Sequence, residues 1–270
     1  MINCKRKIRY AAMNILVTND DGIGSDGLWK LVRELKKTGR VTVVVPDREQ
    51  SAIGTAVSLF RPLCIMEVTS QVDDVTAYTV DGTPADCVVL ALGKLLADTI
   101  DLVVSGINLG SNVGEDVYIS GTVGGALQGY FRGSSAMAVS APGGSVSGRE
   151  TAARTAALLA QRIAAMQPPT RVFLNVNAPD LPPGEVTRAR ITRLARTSHI
   201  NTVEEDDGGE QDRYRLVRQQ LGESALKGTD MYVIRHGGIS ITPLFTSLFD
   251  RPRQHFLDSL CGGLIEELHS

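Results

Sequence analysis

The sequence lacks most of the features that tie a chain to a metal cluster, a membrane or a nucleic acid. Its four cysteines, Cys4, Cys64, Cys87 and Cys261, are scattered and form no CxxC pair. Zinc spacing is therefore absent, a disulfide framework is disfavoured, and free thiols in a reducing, cytoplasmic compartment are expected. No apolar run is long enough to span a membrane. The basic start, MINCKRKIRYAA, is not followed by an apolar segment of signal-peptide length, so residues 1–12 read as an extension outside the fold. A net charge of −2 offers no global attraction to a nucleic-acid polymer or an anionic membrane. The four histidines, His199, His236, His255 and His269, show no HExxH or paired spacing. Surface or structural roles suit them, with His236, beside Gly237-Gly238, a candidate for a subunit contact. Ser51 has no GxSxG setting, which argues against a hydrolase nucleophile elbow. There is no internal repeat.

What is present is an ordinary globular composition, 43% hydrophobic and 21% charged over 270 residues. That length accommodates one large α/β domain with an appendage. Ile15–Thr18 reads as a buried strand. Leu28, Leu31, Val32 and Leu35 then recur at helical spacing, with Gly39 just past the helix end. Val41–Val45 is a second strand, which makes the opening a parallel βαβ unit. Residues 57–82 suggest a hairpin, and Thr83-Pro84 starts a helix with Thr as N-cap. Leu102–Val104 is a strand feeding a Gly/Asn-rich loop. A helix from about Thr122, a strand at Ala136–Val139, an Ala-rich helix over Arg149–Met166 and a strand at Val172–Val176 follow.

The alternation predicts a doubly wound, Rossmann-like, mostly parallel sheet over residues 13–185. Beyond the Pro-rich connector at 179–185, residues 186–220 alternate polar and apolar like a two-stranded arm. Its acidic tip over Glu204–Asp207 is expected to be a solvated turn. A short helix from Thr229, a strand at Ile239–Pro243 and a last helix from about Arg253 are expected to close the chain.

The chemistry concentrates where strands end. In an open parallel sheet, ligands bind outside the carboxyl ends of the strands. After the first strand lie Asn19, Asp20 and Asp21, inside NILVTNDDGIGSDG. Two adjacent carboxylates disfavour each other's ionisation, and a hard divalent cation removes that penalty. The bland alternative is a capped turn with solvated acids. After the second strand lie Asp47, Glu49 and Ser51, and after the third lie Ser105, Gly106, Asn108 and Asn112. Carboxylate, hydroxyl and amide oxygens suit Mg2+, Mn2+ or Ca2+ better than zinc.

Ser120-Gly121-Thr122 opens a helix, where unpaired N–H groups and the helix dipole favour phosphate. A simple N-cap role for Ser120 fits equally. Metal and cradle together suit phosphate-ester hydrolysis, with Asp20 or Asp21 positioning or deprotonating water. Two other classes compete. Gly22, Gly24 and Gly27 match GxGxxG, the mark of a dinucleotide-dependent oxidoreductase, although Asp20 and Asp21 would face its pyrophosphate. The third reading is a non-catalytic metal-binding regulator.

With those residues assembled, the chain resembles the stationary-phase survival protein SurE family. The segments that carry the resemblance are ILVTNDDGIGSDGL, VVVPDREQSAIG, VDGTPADCV, DLVVSGINLGSNVGEDVYISGTVGGA and GISITPL, in the family's order. It implies a metal-dependent phosphatase acting on nucleoside 5′- and 3′-monophosphates, in some members also on polyphosphate. It implies Asp20, Asp21, Ser51 and Asn108 as ligands of one divalent ion per subunit, and Ser120 to Val123 as the loop facing phosphate. It also implies a C-terminal arm, within 186–270, that exchanges between subunits of a homodimer or homotetramer. Gln128 stands where the family usually has Glu, Gly124-Gly125-Ala126 where it reads GAA, and Gly237-Gly238 where Gly-Tyr is common.

Overall fold

The computed structural model describes residues 13–144, 146–197, 200–205, 214–218 and 226–247. The first half contains β1 (Met13–Thr18), α1 (Asp26–Leu35), β2 (Gly39–Pro46), β3 (Ile65–Val68), β4 (Thr76–Val80) and α2 (Pro84–Leu90). Then come β5 (Leu102–Leu109), a 3-10 turn at Gly114–Tyr118, α3 (Gly121–Phe131), β6 (Ser135–Ala141) and α4 (Val146–Ala164). The chain continues through β7 (Phe173–Asn177), β8 (Ala189–Ile191), β9 (Ile200–Glu205), β10 (Tyr214–Arg218), α5 (Asp230–Arg235) and β11 (Ile239–Pro243). Nine strands form one sheet in the order β3-β4-β2-β1-β5-β6-β7-β11-β8, and β9 pairs with β10 separately. The central strands are parallel; β3 on β4 and β11 on β7 are antiparallel.

Strand β1 is apolar on both faces because both are covered, as parallel strands require. Ile15 and Val17 join the core under α1 and α4, while Leu16 joins Val44, Val80 and Val88 on the α2 side. Helix α1 presents Leu28, Leu31, Val32 and Leu35, all fully buried, and α4 presents Ala152, Ala153, Ala156, Ala157 and Ala160. Large side chains on one helix meet small ones on the other, so the two pack closely on one face of the sheet. Helix α2 opens with a capping box: Thr83 Oγ1 accepts from the Asp86 N–H, and the Asp86 carboxylate accepts from the Thr83 N–H.

Several boundaries differ from the sequence reading, each for a local reason. Gly39 does not end α1; it opens β2 opposite Met13, where a Cβ would lie 2.1 Å from the Met13 carbonyl oxygen. Strand β5 runs on to Leu109, so Ser105, Gly106 and Asn108 lie on a strand rather than in a loop. Within 186–220, β8 returns to the main sheet beside β11, and only β9 and β10 form the separate antiparallel pair. Thr192 pins that return through hydroxyl contacts to Ser240 at 2.8 Å and Thr242 at 2.6 Å. The expected last helix from Arg253 and the acidic tip beyond Glu205 lie outside the described residues.

Each departure from the family pattern has a local setting. Gln128 accepts a hydrogen bond from Arg132 within α3. Gly125 stands where the family has the first Ala of GAA, and a Cβ on it would come 2.9 Å from Thr18 Cγ2 and 3.1 Å from Ser105 Oγ, against β1 and β5. Gly238 is crowded by Arg188 and Val233, and Arg188 donates to the His236 carbonyl at 2.9 Å.

Truncating the α1 anchor tests this core. Leu31→Ala is expected to destabilise the fold by about 2–5 kcal/mol in denaturant unfolding, as for buried leucines generally. A loss below about 1 kcal/mol would mean that the α1–α4 layer is not a packed core.

Candidate active site

From β1 the chain crosses to β2 on one side and later to β5 on the other, so the carboxyl ends of β1 and β5 diverge at a topological switch point. A cleft of about 550 Å³ lies there. Asp20, Asp21, Ser51, Asn108, Asn112 and Ser120, from four separate segments of the chain, all line it.

The first turn is held by its own side chain. Asn19 Nδ2 donates to the Gly22 carbonyl at 2.9 Å, and the Gly22 N–H donates to Asn19 Oδ1 at 3.2 Å. Gly22 has φ +82°, a left-handed value that glycine adopts without strain. Asn19 is thus fully buried and latches the turn instead of lining the cleft. The loops are tied together through backbone bonds: the Gln50 N–H donates to the Asp20 carbonyl, and the Gly54 N–H to the Ile119 carbonyl, each at 2.8 Å.

Asp20 is only 5% exposed. Thr122 Oγ1 donates to its Oδ1 at 2.6 Å. Gly121 lies so close that a Cβ there would sit 3.0 Å from the Asp20 Cβ. The N-terminus of α3 is therefore pressed against a carboxylate of the protein itself. Burial raises the Asp20 pKa, opposed by the Thr122 hydrogen bonds. Asp21 is also raised, to about 7, first by burial and then by the charges of Asp20 and Glu49. Its Oδ2 is buried and has no hydrogen-bond partner among the described residues. An orphaned carboxylate oxygen beside a second acid is a direct structural reason to expect a cation.

The remaining predicted residues divide between those that reach the cleft and those that do not. Ser51 donates to Glu49 Oε1 at 2.5 Å, and Asn108 donates its amide to the Gly110 carbonyl at 2.8 Å. Asn112 is fixed by its N–H to Asn177 Oδ1 at 2.9 Å and its Nδ2 to Ser140 Oγ at 3.0 Å. Ser120 caps α3, accepting from the Val123 N–H at 3.1 Å, and also lines the cleft. Thr122 is fully buried, and its hydroxyl serves Asp20, not the open cleft. Ser105 is buried beneath the floor, and Gly106 is packed so that a Cβ would lie 2.2 Å from the Val139 carbonyl oxygen.

Glu49, Ser111 and Asp116 line the cleft but are absent from the predicted set. Glu49 was visible beside Ser51 in the DREQS segment; Ser111 and Asp116 lie in a loop whose path no periodicity reveals. Among the described residues no three His, Cys, Asp or Glu side chains form a metal-holding group. The cleft instead offers carboxylates together with neutral serine and asparagine side chains.

A Rossmann-like α/β fold with an oxygen-donor cleft at its switch point defines a class of hydrolytic and nucleotide-handling proteins. The model of the family described as Survival protein SurE matches residues 15–201. This chain belongs to the SurE family. It is 45% identical over 263 residues to the 5'-nucleotidase SurE of Dehalococcoides mccartyi strain CBDB1, covering 96% of this chain and 98% of that relative. It is 39% identical over 249 residues to the 5'-nucleotidase SurE of Vibrio parahaemolyticus, covering 92% and 94%. The crystal structure of the SurE protein from Aquifex aeolicus superposes with a TM-score of 0.79 at 33% identity, covering 92% of this chain and 99% of that one. No helix among the described residues is long and apolar enough to cross a membrane.

The raised Asp21 pKa fixes a sign. Its folded value of about 7 lies above the ordinary 3.8, so its proton stabilises the metal-free fold at low pH. That contribution is lost as pH rises through about 7. The metal-free protein is expected to lose thermal stability between about pH 4 and pH 8, and Asp21→Asn to lose less. Equal slopes in the two proteins would show that Asp21 ionises normally.

Proposed function

We propose that this protein is a cytoplasmic, divalent-metal-dependent nucleotidase that hydrolyses nucleoside 5′- and 3′-monophosphates to nucleoside and phosphate, with short polyphosphate as a further substrate. The observation that carries the reading is the convergence of Asp20, Asp21, Ser51 and Asn108 on one cleft at the sheet's switch point. The names of the relatives supply the nucleotide. Asp20, Asp21, Ser51 and Asn108 would hold one Mg2+ or Mn2+ per subunit, and Ca2+ fits the same oxygen set. Such an ion supplies Lewis-acid polarisation of a phosphoryl oxygen and acidifies bound water.

The chain's own residues have separate tasks. Thr122 fixes the orientation of Asp20 by occupying one of its oxygens. Asp21, with an oxygen left free, is the better placed of the two acids to orient the attacking water and accept its proton. Ser120 and the adjoining N-terminus of α3 offer hydrogen-bond donors and a favourable dipole to phosphate. Neutral Ser51 and Asn108 keep the negative charge of the site low, which favours an anionic substrate. Ala52, Leu109 and Ile119 supply apolar cleft surface for the nucleoside. The C-terminal part beyond residue 186 is read as the oligomerisation region of a homodimer or homotetramer.

A dinucleotide site fits less well. Gly27 serves packing, since a Cβ there would lie 2.7 Å from the Ile107 carbonyl oxygen. Among the described residues, those lining the cleft include Asp20, Asp21, Glu49 and Asp116 and no Lys or Arg, so a pyrophosphate would lack a charge partner there.

Phosphate release from AMP is expected with Mg2+ or Mn2+ and is expected to disappear with EDTA. Release with no divalent ion in a metal panel would overturn the metal requirement, and no release under any condition would overturn the enzyme. Asp21→Asn is expected to lower turnover by at least about 10³-fold, roughly 4 kcal/mol of barrier, with the circular-dichroism spectrum unchanged. Near-normal turnover would remove Asp21 from the reacting set.

A further inference from the structure

Glu49 and Ser51 stand two residues apart in the loop after β2, and both line the cleft. Ser51 Oγ donates to Glu49 Oε1 at 2.5 Å, within the range of a charge-assisted O–H···O⁻ bond. This is the only hydrogen bond either side chain makes among the described residues. The charge of Glu49 also reaches Asp20 and Asp21 and works against the ionisation of both. A third acid set beside two buried ones is electrostatically unfavourable unless it assists a cation. A serine hydroxyl has one proton and two lone pairs. Unless something takes the proton, that proton competes with a cation for the same face of the oxygen.

We propose that Glu49 is a positioning residue of the cation site: it accepts the Ser51 hydroxyl hydrogen bond, turning that O–H toward itself, and so leaves the Ser51 lone pairs free for a divalent ion. The proposal rests on the metal-binding reading above. It assigns Glu49 an action through Ser51, not a direct ligand bond. A partner that orients a ligand in this way is commonly worth about 10- to 100-fold in metal affinity.

The test is Mn2+ affinity of the metal-stripped full chain, measured by calorimetry or by the spin-resonance signal of free Mn2+, with no substrate present. Glu49→Ala is expected to weaken Mn2+ binding about tenfold in the wild-type background. In the Ser51→Ala background it is expected to change affinity by less than about twofold, because the hydroxyl it acts on is gone. Equal losses in both backgrounds would mean that Glu49 acts by charge alone and would overturn the proposal, as would no loss in either. Should Ser51→Ala abolish measurable binding, Glu49→Gln decides. It keeps an acceptor oxygen without the charge, so positioning requires it to bind Mn2+ at least about threefold tighter than Glu49→Ala. Equal affinities of these two variants overturn the proposal. Wild-type protein that binds no Mn2+ at all overturns both this proposal and the metal reading beneath it, whereas binding without coupling overturns this one alone. Unfolding curves of the metal-free variants confirm that each is folded.

Discussion

Two adjacent carboxylates at the end of a strand buried on both faces set the constraint that the surrounding loops answer. Asp20 and Asp21 are brought close together by the peptide chain and withdrawn from water by the loops around them, so each raises the cost of ionising the other. The fold provides several compensations. Asn19 holds the turn rigid, the Asp20 carbonyl anchors the loop after β2, and Thr122 brings a hydroxyl to Asp20. Among the described residues there is no hydrogen-bond partner for Asp21 Oδ2. Thr18, Ser25, Ser105 and Asn175 also bury an oxygen without a partner among the described residues, but Asp21 alone of these five is a carboxylate.

The same constraint explains the glycines. Helix α3 reaches Asp20 only because Gly121 has no side chain to hold it off, and Gly124 allows the helix against the Gly54 carbonyl. Gly22 likewise serves a left-handed turn, and Gly27 the close packing of α1 against β5. A cofactor fingerprint and a metal turn therefore share a glycine pattern, since both need backbone to come close to something. The acids beside the glycines separate the two.

Much of this was legible in the sequence because it depends on local chemistry. The capping box at Thr83 and Asp86, the apolar stripe of α1 and the βα alternation each follow from residue spacing. The strand ends could be named as the place to look because loops after parallel strands share one edge of the sheet; the choice of Asp20, Asp21, Ser51 and Asn108 among their oxygens came from the family resemblance. Features set by tertiary approach were not legible. Ser-Gly-Ile-Asn reads as a loop, yet β5 runs through it because its neighbours β1 and β6 supply the pairing. Ala189–Ile191 has too few residues to show a period, and its place beside β11 comes from hydroxyl contacts distant in sequence. The hydroxyl of Thr122 looked like a phosphate donor because a helix start favours anions; the anion it meets is Asp20.

That substitution changes how the helix terminus contributes to the site. A positive helix end facing an empty cleft would attract phosphate whether or not a cation were present. Here much of that potential falls on Asp20, which it helps to ionise, while Ser120 remains at the cleft wall. Helix α3 thereby favours the charged form of a proposed cation ligand. On the proposed reading, substrate phosphate enters a cleft that has acids and no Lys or Arg among its described lining residues, and its positive charge would come from the ion those acids would hold. The acidity of the cleft and the anionic nature of the proposed substrate are then compatible: the acids would build the cation site, and the cation would make the cleft attractive to phosphate. On that reading each of the two, ion and phosphate, favours the binding of the other through electrostatics.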